Sequence, residues 1–346
     1  MLEIEIIKSN EYAKFLSDLR EKVRRSQQKA VLQVNQQLIL LYHHIGSEII
    51  RLQKEKGWGG KVIDQLSLDL KSSFPYMKGF GITNLKYMRL LAESFSSDEI
   101  SQQAVDQLPW SHLIRILTAV DDSKIRLFYI AKSKENNWSR ETLKIQIENR
   151  LHERVGKAVT NFKSKLPVSI SDMAVQSLHD PYCFDFLGIH DEAHEREIEK
   201  SLIIHVEKFL VELGVGFAFL GRQYKLVVSE TAYYLDLLFY HTKLHCYVVI
   251  ELKATDFKPE YVGKLNFYLS AVDDLIKDRS DNPTIGLILC KGKDNIKAEY
   301  ALKDINKPIG VSEYKLSKAI PENLKTALPS VEEIEAQLNR EQIDRG

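Results

Sequence analysis

Three charged residues lie within a strongly apolar stretch of the 346-residue chain. Asp236 falls in the segment YYLDLLFYH, and Glu251 and Lys253 end the segment VVIELK. Two carboxylates and an ammonium group suit metal-assisted phosphodiester hydrolysis, because a hard divalent cation binds through carboxylates and accepts phosphate oxygens as further ligands. The ammonium group could offset negative charge in the transition state. The alternative interpretation is a salt-bridge cluster on a half-exposed sheet.

The spacing of these residues decides whether they can meet. Side chains alternate between the two faces of a strand, so an even-length turn, for instance Thr242-Lys243, would pair position 240 with 245 and 236 with 249. Asp236, Glu251 and Lys253 would then project from one face. The tripeptide at 313–315 repeats the Glu-x-Lys spacing, but no comparable apolar strand accompanies it.

The surrounding elements are predicted from hydrophobic periodicity. Strand-like sequence covers 215–228, 232–241, 245–253 and 284–290, whereas helical patterns cover 195–213 and 259–273. The order is therefore α-β-β-β-α-β, which predicts a sheet flanked by helices. A mixed α/β or α+β fold is expected for this part of the chain.

The N-terminal half has helical spacing throughout. Helices are predicted at 11–56, 62–73, 84–95 with Thr83 as N-cap, 122–135, and 139–153 with Ser139 as N-cap. The apolar positions that predict the first helix include Val31, Leu32, Val34, Leu38, Leu41 and Ile45. A helix bearing Lys86 and Arg89 after a loop resembles a helix-turn-helix arrangement. A helical bundle with a solvated basic face is the alternative.

Charge and composition divide the chain into regions. Residues 1–165 hold 27 Lys and Arg against 19 Asp and Glu, whereas the remainder holds 21 against 29. A basic half indicates an anionic partner such as nucleic acid. We expect a helical nucleic-acid-binding or interaction domain at 1–160, a linker at 161–190, a mixed domain at 191–320 and an acidic helical tail at 321–346. The linker is predicted because periodicity is lost there.

Other features exclude several protein classes. No apolar run approaches the roughly 20 residues that a membrane helix needs, and the N-terminus lacks the features of a signal peptide. The three cysteines are far apart and odd in number, which predicts reduced thiols rather than a disulfide framework or a zinc site. We expect a cytoplasmic protein with no membrane partner.

A family resemblance covers nearly the whole chain. The stretches that carry it include GWGGKVIDQLSLDLKSSFP, NLKYMRLLAESF, LPWSHL, DPYCFDFL, YYLDLLFYH, VVIELK, KPEYVGKLNFYLSAVDD and NPTIGLILCK. The chain resembles the PD-(D/E)XK nuclease superfamily, and more closely its YhcG-like family of predicted bacterial nucleases. The resemblance implies a C-terminal restriction-endonuclease-like domain and an N-terminal all-helical domain of winged-helix-like character.

The same resemblance implies roles for individual residues. Asp236 and Glu251 match the metal-binding acids, and Lys253 matches the catalytic lysine. Glu207 lies on the first helix, where some members place another metal-binding glutamate, although a solvated helix position explains it equally well. Leu235 stands where the family has proline, a departure that leaves the metal chemistry intact.

Further residues are expected to contact nucleic acid. Lys86 and Arg89 belong to the basic half, and Arg222 and Gln223 are candidates for backbone contacts. Some superfamily members carry Gln-x-x-x-Tyr after the Glu-x-Lys strand. This chain has Lys264 and Tyr268 there, so the role of the first position is open.

The expected function is a Mg²⁺-dependent nuclease, with Mn²⁺ as a substitute. DNA is the expected substrate and DNA processing or defence the expected setting. The sequence leaves the oligomeric state open, with a homo-oligomer as one of the alternatives. The alternative is a nuclease fold that no longer cuts and serves as a nucleic-acid-binding or assembly module.

Overall fold

The computed structural model describes residues 10–56, 61–102, 105–189 and 193–316. The chain divides into two compact units, residues 1–152 and 153–346. The described part of the first unit is helical, and the second unit holds a mixed sheet with helices, as predicted. None of the helices in these described ranges is long and apolar enough to cross a membrane.

The N-terminal unit is a set of helices of very different lengths. They are α1 (Asn10–Lys56), α2 (Lys61–Ser73), α3 (Ile82–Ser94), α4 (Ser97–Gln102), a 3₁₀ turn (Val105–Gln107), α5 (Trp110–Ala119), α6 (Ser123–Asn136), α7 (Arg140–Glu148) and α8 (Leu151–Arg154) at the boundary. Helix α5 was not predicted. Ser139 caps α7 as expected, since its Oγ accepts the Thr142 N–H at 3.0 Å. The residue before α3 is Gly81 rather than the predicted cap Thr83.

The core of this unit lies where α3 meets the C-terminal half of α1. Tyr42 and Ile49 of α1 pack with Leu85 and Met88 of α3. Gly46 permits this approach, because a Cβ there would lie 2.0 Å from the Met88 carbonyl oxygen.

The predicted apolar stripe of α1 is only partly buried. Val31, Leu32 and Val34 are exposed. Hydrophobic spacing therefore predicted the helix, but contacts with α3 decide which side chains are buried. The described residues of this unit form no strand that could serve as the wing of a winged helix.

The C-terminal unit contains the predicted α-β-β-β-α-β order. Its elements are β1 (Val159–Thr160), α9 (Phe162–Lys165), α10 (Val168–Gln176), β2 (Tyr182–Cys183), a 3₁₀ turn (Asp185–Leu187), α11 (Glu195–Ile204), α12 (Val206–Leu213), β3 (Phe217–Val228), β4 (Thr231–His241), β5 (Cys246–Leu252), α13 (Glu260–Leu275), β6 (Ile285–Cys290), α14 (Asn295–Leu302) and β7 (Ile309–Lys315). The predicted first helix is broken at His205 into α11 and α12.

The sheet has the strand order β1-β7-β6-β5-β4-β3, with β2 beside β7. Strands β3, β4 and β5 are antiparallel, whereas β5, β6 and β7 are parallel. Ile198 and Phe209 of α11 and α12 cover one face, and Leu265 and Leu269 of α13 cover the other. Binding sites in parallel sheets usually form at the carboxyl ends of the strands, and here that edge includes the end of β5.

Two expectations about this unit were wrong. The predicted linker at 161–190 contains α9, α10 and β2, and its Phe162, Tyr182 and Phe184 are fully buried in the sheet core. The helices and the strand in this segment are too short to give a clear hydrophobic period in the sequence. The tripeptide Glu313-Tyr314-Lys315 does lie in a strand, β7. The predicted acidic tail at 321–346 falls outside the described residues.

Candidate active site

The β4–β5 hairpin brings the predicted acids together. The ladder pairs His241 with Cys246 and Leu237 with Ile250, which leaves four residues, 242–245, in the turn. The turn is even in length, as the parity argument required. The predicted pairing of 236 with 249 was wrong by two residues, because Leu238 pairs with Val249 and the same register sets Asp236 opposite Glu251.

Asp236 lies where the two strands stop pairing. The last ladder pair is Leu237 with Ile250, and beyond it the Leu252 N–H donates to Asp236 Oδ2 at 3.0 Å. The carboxylate thus satisfies a backbone donor that the ladder leaves open. Lys253 Nζ lies 3.9 Å from the same oxygen and 3.4 Å from Glu251 Oε2, so the three predicted residues form one cluster.

Glu251 is the most buried member of the cluster, with 1% of the residue exposed. Its Oε2 accepts a hydrogen bond from Lys264 Nζ at 2.9 Å, whereas its buried Oε1 has no hydrogen-bond partner among the described residues. Burial raises the pKa of this carboxyl, and the charge of Asp236 adds to that effect. Lys264 and Lys253 act in the opposite direction.

Lys253 is held from several sides. Its Nζ donates to the Leu252 carbonyl oxygen at 2.7 Å and lies 3.4 Å from Glu195 Oε2. Its own carbonyl oxygen accepts a hydrogen bond from the Tyr314 hydroxyl at 3.1 Å. The side chain is 10% exposed, so the ammonium group has one fixed position at the end of β5.

The structure places the predicted helix glutamate, Glu207, at an exposed position of α12, after the break at His205. Two other residues, Glu195 and Glu199, lie one turn apart on α11 and face the cluster. Glu195 Oε1 accepts the Ala254 N–H at 3.2 Å. In the sequence, the separation of these two glutamates by four residues, which places both on one side of a helix, is the signal that could have identified them.

Arg222 and Gln223, which were predicted to contact the nucleic-acid backbone, lie beside the cluster and contact its carboxylates. Arg222 Nε lies 3.2 Å from Glu199 Oε1, and Gln223 Nε2 donates to Glu199 Oε2 at 2.8 Å and to Asp236 Oδ1 at 3.4 Å. Burial raises the pKa of Glu199, although Gln223 and Arg222 oppose this effect.

Lys264 and Tyr268 lie on α13 beside Glu251. Lys264 Nζ is 5.1 Å from the centre of the Tyr268 ring, which is itself buried. Burial alone would lower the pKa of Lys264, but the Glu251 carboxylate outweighs it and raises this pKa. Lys86 and Arg89 belong to α3 of the other unit, where Lys86 is exposed and Arg89 Nε lies 3.3 Å from Glu93 Oε1.

The oxygen donors of this site fit a hard divalent cation. No group of three or more His, Cys, Asp or Glu side chains in the described ranges could hold an ion by itself. Two carboxylates, Asp236 and Glu251, are nevertheless enough for an ion such as Mg²⁺, which keeps several waters and takes substrate phosphate oxygens as ligands. The unpartnered Glu251 Oε1 is a buried acceptor that such an ion would satisfy.

Sequence comparisons assign both halves of the chain. Residues 18–154 match the DUF1016 N-terminal domain, and residues 175–329 match the YhcG PDDEXK nuclease domain. The chain is 30% identical over 326 residues to the Escherichia coli (strain K12) protein "Putative nuclease YhcG", covering 83% of this chain and 86% of that protein. This chain belongs to the YhcG family. The Asp236, Glu251 and Lys253 cluster lies within the family's nuclease domain.

Solved structures show weaker similarity to this YhcG-family chain. A repair endonuclease from Pyrococcus abyssi matches 36% of this chain and 48% of its own, at 16% identity and a TM-score of 0.25. The EndoMS–dsDNA2 complex matches 30% of this chain and 37% of its own, at 17% identity and a TM-score of 0.22. The family assignment therefore rests on the sequence matches.

Proposed function

We propose that this YhcG-family chain is a metal-dependent nuclease that hydrolyses phosphodiester bonds in DNA, with Mg²⁺ as its metal and Mn²⁺ as a substitute. The observation that carries the proposal is the buried Glu251 Oε1, which has no hydrogen-bond partner in the described part of the chain and lies beside a second carboxylate and two ammonium groups. A buried acceptor left unsatisfied costs about 1–3 kcal/mol. A metal ion would remove that cost.

Asp236 and Glu251 would hold the metal. Leu252 fixes the Asp236 carboxylate through its N–H, so the two acids stay at the end of β5. When bound, a divalent ion there supplies Lewis acidity toward the phosphoryl oxygens.

Lys253 would act on the reacting phosphate. Its ammonium group is already oriented by the Leu252 carbonyl and Glu195, so little reorganisation is needed when negative charge develops. The ammonium group would donate a hydrogen bond to a phosphoryl oxygen and so stabilise the negative charge that develops there in the transition state. Glu195 is a positioning residue for this lysine.

A cleft of about 930 Å³ beside the cluster would receive the sugar–phosphate backbone. Glu195 lines the cleft and contacts Lys253, so the cleft adjoins the cluster at this residue. Arg196, Lys200 and Lys291 also line it, together with the acidic Glu197. Basic side chains at such a position fix the backbone of a nucleic acid without reading its sequence.

The remaining predicted contacts extend this proposal. Arg222, Gln223 and Lys264 lie at the rim of the cluster, where they would meet phosphates flanking the cut. Lys86 and Arg89 on α3 would add affinity from the helical unit. DNA processing or defence is the setting we propose for this activity.

Purified full-length protein tests the proposal directly. Supercoiled plasmid, linear duplex, single-stranded DNA and RNA are incubated with Mg²⁺, with Mn²⁺ or with a chelator. Metal-dependent cutting of DNA is the expected result. Cutting of RNA alone would refute the choice of substrate, and no cutting of any substrate would refute the nuclease.

A further inference from the structure

Two lysines share one oxygen of Glu251. Lys264 Nζ lies 2.9 Å and Lys253 Nζ 3.4 Å from Oε2, whereas the other oxygen of this carboxylate, Oε1, has no hydrogen-bond partner among the described residues. The negative charge of Glu251 is therefore balanced at Oε2, by two ammonium groups, whereas Oε1 faces no donor among the described residues.

The two lysines are held differently. Lys253 is 10% exposed and donates to a main-chain oxygen, that of Leu252, as well as contacting Glu195. Lys264 is 46% exposed at its side chain, and its contacts are the Glu251 carboxylate and the face of the Tyr268 ring. Lys264 can therefore leave Glu251 toward solvent without breaking a hydrogen bond to the backbone.

The charge of the cluster favours such a departure when a metal arrives. Asp236, Glu251 and Glu195 contribute three negative charges, and Lys253 and Lys264 contribute two positive charges, which gives −1. A divalent ion would change the sum to +1 with Lys264 in place and to zero without it. Repulsion between neighbouring cations is stronger at a buried site than in water.

We propose that Lys264 supplies the positive charge beside Glu251 while no metal ion is bound, in the place that the metal ion takes later. It neutralises Glu251 in the metal-free protein and leaves Oε2 when a divalent ion binds Asp236 and Glu251. This inference rests on the proposed metal site, and it makes Lys264 a competitor of the metal ion for the Glu251 carboxylate. Removing a competing cation strengthens metal binding, whereas removing a residue that only organises Glu251 would weaken it.

Calorimetric titration of Ca²⁺ into the full-length protein separates these cases without requiring cleavage. We expect Lys264→Gln to bind Ca²⁺ at least about tenfold more tightly than wild type, because one positive charge beside the ion is lost. Lys264→Arg keeps the charge and can form a forked pair with Glu251, so it should bind Ca²⁺ no more tightly than wild type. The matched control Lys208→Gln removes an exposed lysine from α12 and should leave the affinity unchanged.

Thermal unfolding gives a second measure. Metal-free Lys264→Gln should unfold at a lower temperature than wild type, and the difference should shrink at saturating Ca²⁺. Unchanged or weaker Ca²⁺ binding by folded Lys264→Gln would overturn the inference, as would a wild type that binds no Ca²⁺. If Lys264→Gln does not fold, tighter binding by Lys264→Arg would overturn it. A wild type that shows these effects yet cuts no nucleic acid would refute the nuclease alone.

Discussion

Asp236 combines a backbone hydrogen bond with contacts to polar and charged side chains. Its Oδ2 accepts the Leu252 N–H at 3.0 Å and lies 3.9 Å from Lys253 Nζ, and its Oδ1 accepts a hydrogen bond from Gln223 Nε2 at 3.4 Å. Asparagine at this position keeps an oxygen that can accept the backbone hydrogen bond but loses the negative charge. The two contributions can therefore be separated by one substitution.

We expect Asp236→Asn to fold and to lose divalent metal binding. One of two carboxylate ligands becomes neutral, so calorimetry with Ca²⁺ or Mn²⁺ should show affinity reduced by about 100-fold or more, at or above the upper end of the loss caused by mutating residues that only support a metal ligand. Circular dichroism should match wild type, since the bond to Leu252 is retained. Wild-type metal affinity in this variant would show that the ion binds elsewhere.

Basic residues that line the cleft beside Glu195 give a second prediction, which concerns DNA binding. Replacing both Arg196 and Lys200 with alanine should weaken DNA binding in Ca²⁺ and lower the slope of log K against log salt by about 2, roughly one for each lost phosphate contact. Fluorescence anisotropy at several salt concentrations measures both quantities. The control Lys208→Ala/Lys297→Ala removes two exposed charges outside the cleft lining and should change neither. Equal effects in both variants would mean that the cleft is not the binding surface.

At the scale of elements, strands β3 to β6 were predicted, whereas β1, β2 and β7 were not. Strands β5 and β6 are almost continuous apolar runs, which made them recognisable, whereas β1 and β2 have two residues each. The segment 161–190 was predicted to be a linker because its helices and strand are short, and burial of Phe162 and Tyr182 depends on contacts with distant strands. Such contacts leave little periodic signal in the sequence.

The candidate site was predicted in part for the same reason. Parity alone placed Asp236, Glu251 and Lys253 on one face, but the register depends on the turn, which is two residues longer than assumed. Glu207, predicted as a further metal ligand, lies beyond the helix break at His205, which no proline or glycine marks in the sequence. The helix glutamate that contacts Lys253 is Glu195, which lies on α11 before the break.

His241, at the end of β4, makes the hairpin sensitive to pH. The residue is 1% exposed, and its Nδ1 accepts the Leu244 N–H at 3.1 Å. Burial lowers the pKa of His241 from 6.5 to about 4, with a smaller contribution from Lys243. Between these values the unfolded chain binds a proton that the folded protein does not, so the free energy of unfolding falls as pH falls.

We expect this histidine to remove up to about 3 kcal/mol of stability between pH 7 and pH 4, since each unit of pKa shift corresponds to about 1.4 kcal/mol. Urea denaturation across that range should show a shallower pH dependence for His241→Asn than for wild type. The cavity left by the smaller side chain lowers stability at every pH and does not affect the comparison of slopes. Equal slopes for the two proteins would contradict a neutral buried histidine.

At the scale of the whole molecule, the uneven distribution of charge supports the separate roles that we propose for the two units. Residues 1–165 carry a surplus of eight positive charges, 27 against 19, and the helical unit, residues 1–152, carries five of these, 23 against 18. The nuclease-domain cluster lies in the more acidic remainder. The basic unit would supply affinity for DNA, and the mixed unit would supply the chemistry. Mutations in the helical unit should therefore affect DNA binding, and mutations in the mixed unit should affect cutting.

Substitutions on α3 test the contribution of the helical unit. Full-length Lys86→Ala/Arg89→Ala should bind DNA more weakly and with a salt slope lower by about 2, because two phosphate contacts are lost. Lys124→Ala/Lys134→Ala removes the same charge from exposed positions on α6 and serves as the control. Unchanged binding by the α3 variant would mean that this helix serves another purpose.

The central claim is that Lys253 works on the reacting phosphate at a metal site formed by Asp236 and Glu251. The most direct measurement is the rate of supercoiled plasmid cleavage in Mg²⁺ by wild type, Lys253→Met and the control Lys208→Met, with folding checked by thermal unfolding. We predict cleavage by wild type and the control, and a rate at least about 100-fold lower for Lys253→Met, which should still bind DNA and Ca²⁺. A wild type that leaves the plasmid intact, or a folded Lys253→Met that cuts at the wild-type rate, would contradict the claim.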